Sequence, residues 1–194
     1  MSETENVGLH ERKKMLRKEL LARRDALTDA DRVRAEILIT ERLLGHQWFY
    51  GSDVLLAFAS YGSEISTAML IEEALRKGKK VYLPKVEGSE IVFYRYEEPE
   101  DLTEGYKGIR EPSGRTQRYC YLPEETGKTL LLMPGVGFDL YRNRLGYGKG
   151  FYDRFLKDKE ELQIRSIGIG HVCQLADEIP AGEADLKPYQ VICV

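Results

Sequence analysis

The run Asn143-Arg144-Leu145-Gly146-Tyr147-Gly148-Lys149-Gly150-Phe151-Tyr152-Asp153-Arg154 carries the densest chemistry in the chain. Glycines at alternate positions let backbone N–H groups turn towards one point, and a helix expected just after them brings its amino end to the same place. With Arg144 and Lys149 adding positive charge, the run is a phosphate cradle in physical terms. Read blandly, it is a flexible turn with solvated cations. The common nucleotide fingerprints do not fit. A G-x-G-x-x-G spacing needs glycine at 151, where Phe151 stands, and Gly127-Lys128-Thr129 imitates the tail of a Walker A loop whose leading glycine would fall on Leu122.

Other residues offer chemistry around that run. Asp153 suits Mg²⁺ beside phosphate oxygens, or simply the positive end of a helix. Tyr147, Phe151 and Tyr152 can stack on a heterocycle or serve as core. Glu64 can accept hydrogen bonds from an amino-substituted ring, or stand solvated in its loop. Lys13, Lys14 and Arg17 share a predicted helix, and Lys13 and Arg17, four apart, share a face that by itself reads as solvated. Lys85, after Pro84, is one more cation for the same crevice.

The elements that must position these groups follow from periodicity. From Leu9 to Leu27, apolar residues at three- and four-residue spacings predict a helix. Thr28 caps a second one, with Ile37, Leu38, Leu43 and Leu44 apolar and Gly45 available for a left-handed end. Val54–Phe58, a helix from Ser66 to Lys77, and Val81–Leu83 closed by Pro84 form a β-α-β unit. Leu130–Met133, the glycine loop, a helix from Phe151 to about Glu161, and Ile164–Ile169 form another. Apolar strands alternating with helices predict an α/β fold of three layers, α/β/α, on a mostly parallel central sheet. An N-terminal helical hairpin precedes it, and Ile91–Tyr96 adds an antiparallel or edge element. Ligands of such sheets bind beyond the carboxyl ends of the strands, which singles out the loops 59–66 and 134–150.

Composition sets the limits. Lys plus Arg number 29 against 32 Asp plus Glu, a balance of −3, which excludes a polybasic nucleic-acid binder; apolar types at 42% and charged types at 31% suit one folded domain over 1–194. No run approaches the ~20 apolar residues of a membrane span, so a cytoplasmic protein with no membrane or nucleic-acid partner is expected. Cys120, Cys173 and Cys193 form no C-x-x-C pair, and His10, His46 and His171 stand apart from them, so any metal is expected on oxygen ligands.

The sequence resembles the 5-formyltetrahydrofolate cyclo-ligase family along nearly its whole length. The resemblance rests on Lys13-x-x-x-Arg17, Ser63-Glu64-Ile65, Leu83-Pro84-Lys85, Gly108 to Pro112, Met133-Pro134-Gly135-Val136-Gly137-Phe138-Asp139, the run from Asn143 to Asp153, and Gln174 followed by Pro180 and Asp185. It implies ATP-dependent cyclisation of 5-formyltetrahydrofolate to 5,10-methenyltetrahydrofolate by phosphorylation of the formyl oxygen, with Mg²⁺ as cofactor and ATP as co-substrate. By the same resemblance Arg144 and Lys149 are catalytic. Lys13, Lys14, Arg17, Arg144, Leu145, Gly146, Tyr147, Gly148, Lys149, Gly150, Phe151 and Tyr152 bind ATP. Ala59, Glu64, Tyr147, Gly148 and Phe151 bind the folate, and Asp153 and Asp185 hold the metal. Lys85 or Arg115 is the expectation for the glutamate tail, and a monomer is expected.

Two other readings keep the fold. A sugar-phosphate isomerase or acyl-CoA transferase relative would need a carboxylate base, for which Glu64 and Asp139 are the candidates. A non-catalytic nucleotide-binding regulatory module would have no reason to keep Arg144, Lys149 and Asp153 together.

Overall fold

The structure is a computed structural model that describes residues 3–105, 108–182 and 184–194. Helices α1 (Glu3–Asp25), α2 (Asp29–Leu44) and α3 (Gln47–Tyr50) precede the first β-α-β unit, β1 (Val54–Leu56), α4 (Ala68–Arg76) and β2 (Lys80–Glu87). The edge strand β3 (Glu90–Tyr96) folds back on β2, and β4 (Leu102–Glu104) pairs with β5 (Arg110–Pro112) in a small antiparallel sheet. The second unit runs through β6 (Thr129–Met133), the two-residue strands β7 (Gly137–Phe138) and β8 (Arg144–Leu145), α5 (Phe151–Leu156), α6 (Glu160–Gln163) and β9 (Ser166–Gly170), and β10 (Gln190–Cys193) follows.

The central sheet has the order β10-β9-β6-β1-β2-β3, parallel except where β3 runs against β2. Its strands are apolar on both faces because each face is covered. Leu55, Leu130 and Leu132 pack against α2, α3 and α4, whereas the alternating Leu56, Leu131 and Met133 pack against α5 and α6. Side chains of a strand alternate between faces, so neighbouring leucines belong to different layers. Truncating a fully buried one such as Leu131 to alanine is expected to cost about 2–5 kcal/mol.

The Thr28 side chain accepts from the Asp31 amide and the Asp31 carboxylate accepts in return from the Thr28 amide, a reciprocal cap that starts α2. α2 occurs where the sequence places it and α1 starts at Glu3, ahead of the expected Leu9, but each buries its apolar face in a different cluster. Ala35, Ile39 and Leu43 of α2 join the first β-α-β unit. Leu16, Leu20 and Leu21 of α1 lie on Val136, Leu145 and Ile179 beside β7 and β8. Gly137 makes that approach possible, because a Cβ there would collide with Leu20. α1 is thereby laid alongside the loop that follows β8.

Several local expectations are corrected. Gly45 ends α2 with φ −81°, not in the left-handed region. Pro84 does not close β2, which continues to Glu87. The Tyr82 carbonyl accepts from Ala57, so alternation turns the nitrogen of residue 84 to the same side, where β1 has already ended and no ladder donor is needed. The helix expected from Phe151 to Glu161 is two short ones, broken where Asp158 takes φ 59°.

Candidate active site

Among the cavities beyond the carboxyl ends of β1, β2 and β6, two meet at the glycine loop. One, about 280 Å³, is polar and holds Lys13, Arg17, Arg144, Lys149, Asp153 and Asp185. The other, about 210 Å³, is mostly apolar, with Ala59, Pro84 and Ile91 around Glu64. They share Pro134, Tyr147, Lys149, Phe151 and Tyr152 as a common wall.

In the polar cavity α1 supplies one wall and the glycine loop the other. Lys13 pairs with Asp185, and Arg17 Nε donates to the Gly146 carbonyl at 2.8 Å. Gly148 and Gly150 take φ 90° and 63°, conformations that only glycine adopts without strain, and they turn the loop sharply into α5. That helix has only six residues, so its dipole is weak and the cations carry most of the positive field. Arg144 Nη2 donates to Asp153 Oδ1 at 3.1 Å, and its Nε is buried without a partner. Lys149 makes no hydrogen bond or ion pair among the described residues. Lys14 is not brought to this cavity. It is 67% exposed and pairs with Glu11, since one residue past Lys13 is a rotation of about 100° around a helix.

The second cavity is organised by Glu64. Its Oε1 accepts from the Tyr147 hydroxyl at 2.6 Å and its Oε2 from the Tyr61 amide at 2.9 Å. The residue is half-buried but its carboxyl is enclosed by protein, and that burial pushes it above the usual carboxylate range. The Tyr147 hydroxyl, the Tyr61 amide and Arg24 oppose the shift. Burial likewise raises the Tyr147 and Tyr152 phenols, with the Glu64 charge adding to both, so each is a hydrogen-bond donor at neutral pH. The Tyr152 hydroxyl is fully buried and unpartnered.

Ala59, Tyr147 and Phe151 line the second cavity as expected, whereas Gly148 faces only the polar one, against the Arg17 guanidinium. Lys85 donates to the Ser113 carbonyl at 2.8 Å, and neither it nor Arg115 lines either cavity. Pro134 lies in the expected loop 134–150, whereas sequence reasoning gave no site role to His10, Arg24 or Arg110. His10 and Arg24 were reachable, since they extend the 13, 17 face of α1 by three and seven residues. Arg110 opens β5, and only its pairing with Glu104 of β4 and the packing of that small sheet bring it to the cavity. Asp139 is excluded as a base, because it accepts from the amides of Asn143 and Ile179 and from the Asn143 side chain at 2.7–2.8 Å within the core.

Among the described residues no group of three or more His, Cys, Asp or Glu could hold a metal by itself. Asp153 and Asp185 nevertheless line the same cavity, and each has one carboxylate oxygen outside its hydrogen bonds. That donor set suits Mg²⁺, which takes one or two carboxylates and completes its shell with water and phosphate oxygens.

Known proteins resemble this chain over most of its length. The model of the 5-formyltetrahydrofolate cyclo-ligase family matches residues 9–194. A 5-formyltetrahydrofolate cyclo-ligase of Mus musculus is 29% identical over 96% of this chain and 95% of its own length. One of Escherichia coli K12 is 30% identical over 84% and 90%. The NMR structure of Aquifex aeolicus 5,10-methenyltetrahydrofolate synthetase superposes with a TM-score of 0.75 at 33% identity, covering 91% of this chain and 86% of that one.

Proposed function

The chain belongs to the 5-formyltetrahydrofolate cyclo-ligase family, and from that premise we propose how its two cavities divide the reaction. The enzyme closes 5-formyltetrahydrofolate to 5,10-methenyltetrahydrofolate at the expense of ATP. The formyl oxygen is a poor leaving group because the adjacent nitrogen feeds electrons into the carbonyl. Phosphorylation of that oxygen by the γ-phosphoryl group makes it a good one, and ADP departs. The nitrogen at position 10 then attacks the formyl carbon and loses its proton, and the C–O bond breaks to release phosphate.

The observation that carries this assignment is the shared wall. Lys149 reaches both cavities and has no partner of its own, so its ammonium is free to follow a phosphoryl group from one side to the other. ATP is assigned to the polar cavity, held by Lys13, Arg17, Arg144, Lys149 and the backbone from 144 to 152. The pterin is assigned to the apolar cavity, where the Glu64 carboxylate accepts its amino hydrogens and Ala59, Tyr147 and Phe151 line the ring. A loose phosphoryl-transfer transition state asks mainly for position and charge neutralisation, which cations and loop amides supply without a protein nucleophile. Mg²⁺, held by Asp153 and Asp185, would neutralise charge on the transferring phosphoryl group. The enzyme is taken to act as a cytoplasmic monomer; no helix among the described residues is long and apolar enough to cross a membrane.

The test follows methenyltetrahydrofolate absorbance with purified protein, ATP, Mg²⁺ and 5-formyltetrahydrofolate. Absence of product, with sugar-phosphate isomerisation in its place, would discard the assignment.

A further inference from the structure

Lys13, Arg17, Leu20 and Arg24 follow one another along α1 at spacings of four, three and four residues, so they form one stripe. Lys13 and Arg17 serve the polar cavity and Leu20 anchors the helix. Arg24 is only 3% exposed and reaches the other cavity indirectly. Its Nε donates to Ser63 Oγ and its Nη1 to Tyr147 Oη, both at 2.9 Å, and Ser63 donates in turn to Asp25.

Tyr147 needs such a hold. It is 47% exposed and sits between Gly146 and Gly148, so its own segment does little to restrain the ring. Arginine has no acceptor, so a hydrogen bond from Arg24 occupies the phenol oxygen and leaves its proton for Glu64 Oε1, 2.6 Å away. With the Tyr61 amide on Oε2, the carboxylate is fixed at both oxygens and its remaining lone pairs are available to the cavity.

We propose that Arg24 is a positioning residue for folate binding: through the Tyr147 phenol it fixes the orientation in which Glu64 meets the pterin. The inference rests on the assignment of Glu64 to the pterin. A purely structural Arg24 would only hold Ser63 in its bond to Asp25 and fill space beneath the 61–66 loop.

A double-mutant cycle separates the two. R24Q, Y147F and the double variant are compared with wild type for KM of each substrate, kcat, and 5-formyltetrahydrofolate Kd by direct titration. If Arg24 acts through the phenol, each single variant raises the folate KM and Kd by about tenfold and leaves the ATP KM within about twofold, and the double variant is no worse than the poorer single one. Additive losses, an equal rise in both KM values, or a Y147F enzyme with unchanged folate affinity would each overturn it. Should R24Q fail to fold, R24K completes the cycle in its place, and an unchanged folate affinity in Y147F, whose half-exposed ring loses only a hydroxyl, still overturns the proposal. Failure of wild type to form product would instead strike the assigned reaction, so the two ideas fail in different ways.

Discussion

Arg144 and Asp153 face each other across the glycine loop, with Nη2 3.1 Å from Oδ1, and the same carboxylate oxygen accepts the Leu186 amide at 3.1 Å. One carboxylate thus ties the end of β8, the start of α5 and the chain before β10. The Arg144 side chain is 5% exposed, so the pair is structural as well as a source of charge for a bound nucleotide.

Asp153→Ala is therefore expected to do two things. It should remove most turnover, and it should cost about 3 kcal/mol of stability because a buried guanidinium loses its counter-charge. Asp153→Asn, which keeps an acceptor, should recover much of the stability and little of the activity, and should raise the Mg²⁺ concentration needed for half-maximal rate. Steady-state kinetics with a Mg²⁺ titration, alongside urea unfolding, give both readings; an unaltered Mg²⁺ requirement would count against Asp153 as a ligand.

Lys149 presents the opposite case, being exposed and unpartnered among the described residues. Lys149→Ala should lower kcat by about 10²- to 10³-fold, in the range for loss of one group aimed at developing charge. Its unfolding free energy should stay within about 0.5 kcal/mol of wild type. A variant with normal kcat would remove Lys149 from the transfer step.

Gly148 tests the shape of the loop. At φ 90°, with a Cβ placed 3.4 Å from the Arg17 guanidinium, Gly148→Ala should cost about 1–3 kcal/mol and raise the ATP KM severalfold. Gly127→Ala is the control, since a Cβ there meets nothing within 4 Å and φ is not positive. Equal behaviour of the two variants in thermal melts and ATP kinetics would mean the loop tolerates a wider turn.

Glu64 makes stability depend on pH in a stated direction. Burial raises its folded-state pKa, so folding favours the protonated carboxyl. That contribution is fully present below the ordinary carboxylate pKa and is lost as pH rises through the folded value. Glu64→Gln cannot ionise, so its stability relative to wild type should increase as pH rises from below the ordinary carboxylate range through the folded-state value in paired urea titrations, while folate affinity falls. A pH-independent difference would show that the carboxyl is solvated in the folded protein.

Much of this site was legible before folding was considered, and the reasons are local. Only alternating glycines give a loop of this shape beside cations, and the Leu130–Met133 run announces a strand covered on both faces. The gaps are also physical. Helix α5 ends early because Asp158 adopts a left-handed conformation that residue type alone does not fix. Lys14 was assigned to the nucleotide with Lys13 by the resemblance alone, and the structure places it on the outer face of α1.

Residue types and spacing by themselves determined the layered fold and the loop and helix that carry the cations, and the family followed from resemblance of the motifs. Only the tertiary structure decided which groups meet. Glu64 and Tyr147 are 83 positions apart, and Arg24 and Tyr147 are 123. The second meeting depends on how α1 docks, where Leu20 is buried over Gly137. Periodicity reports which face of a helix is apolar, but not which distant surface that face will cover, because that choice is made by the packing of the whole core.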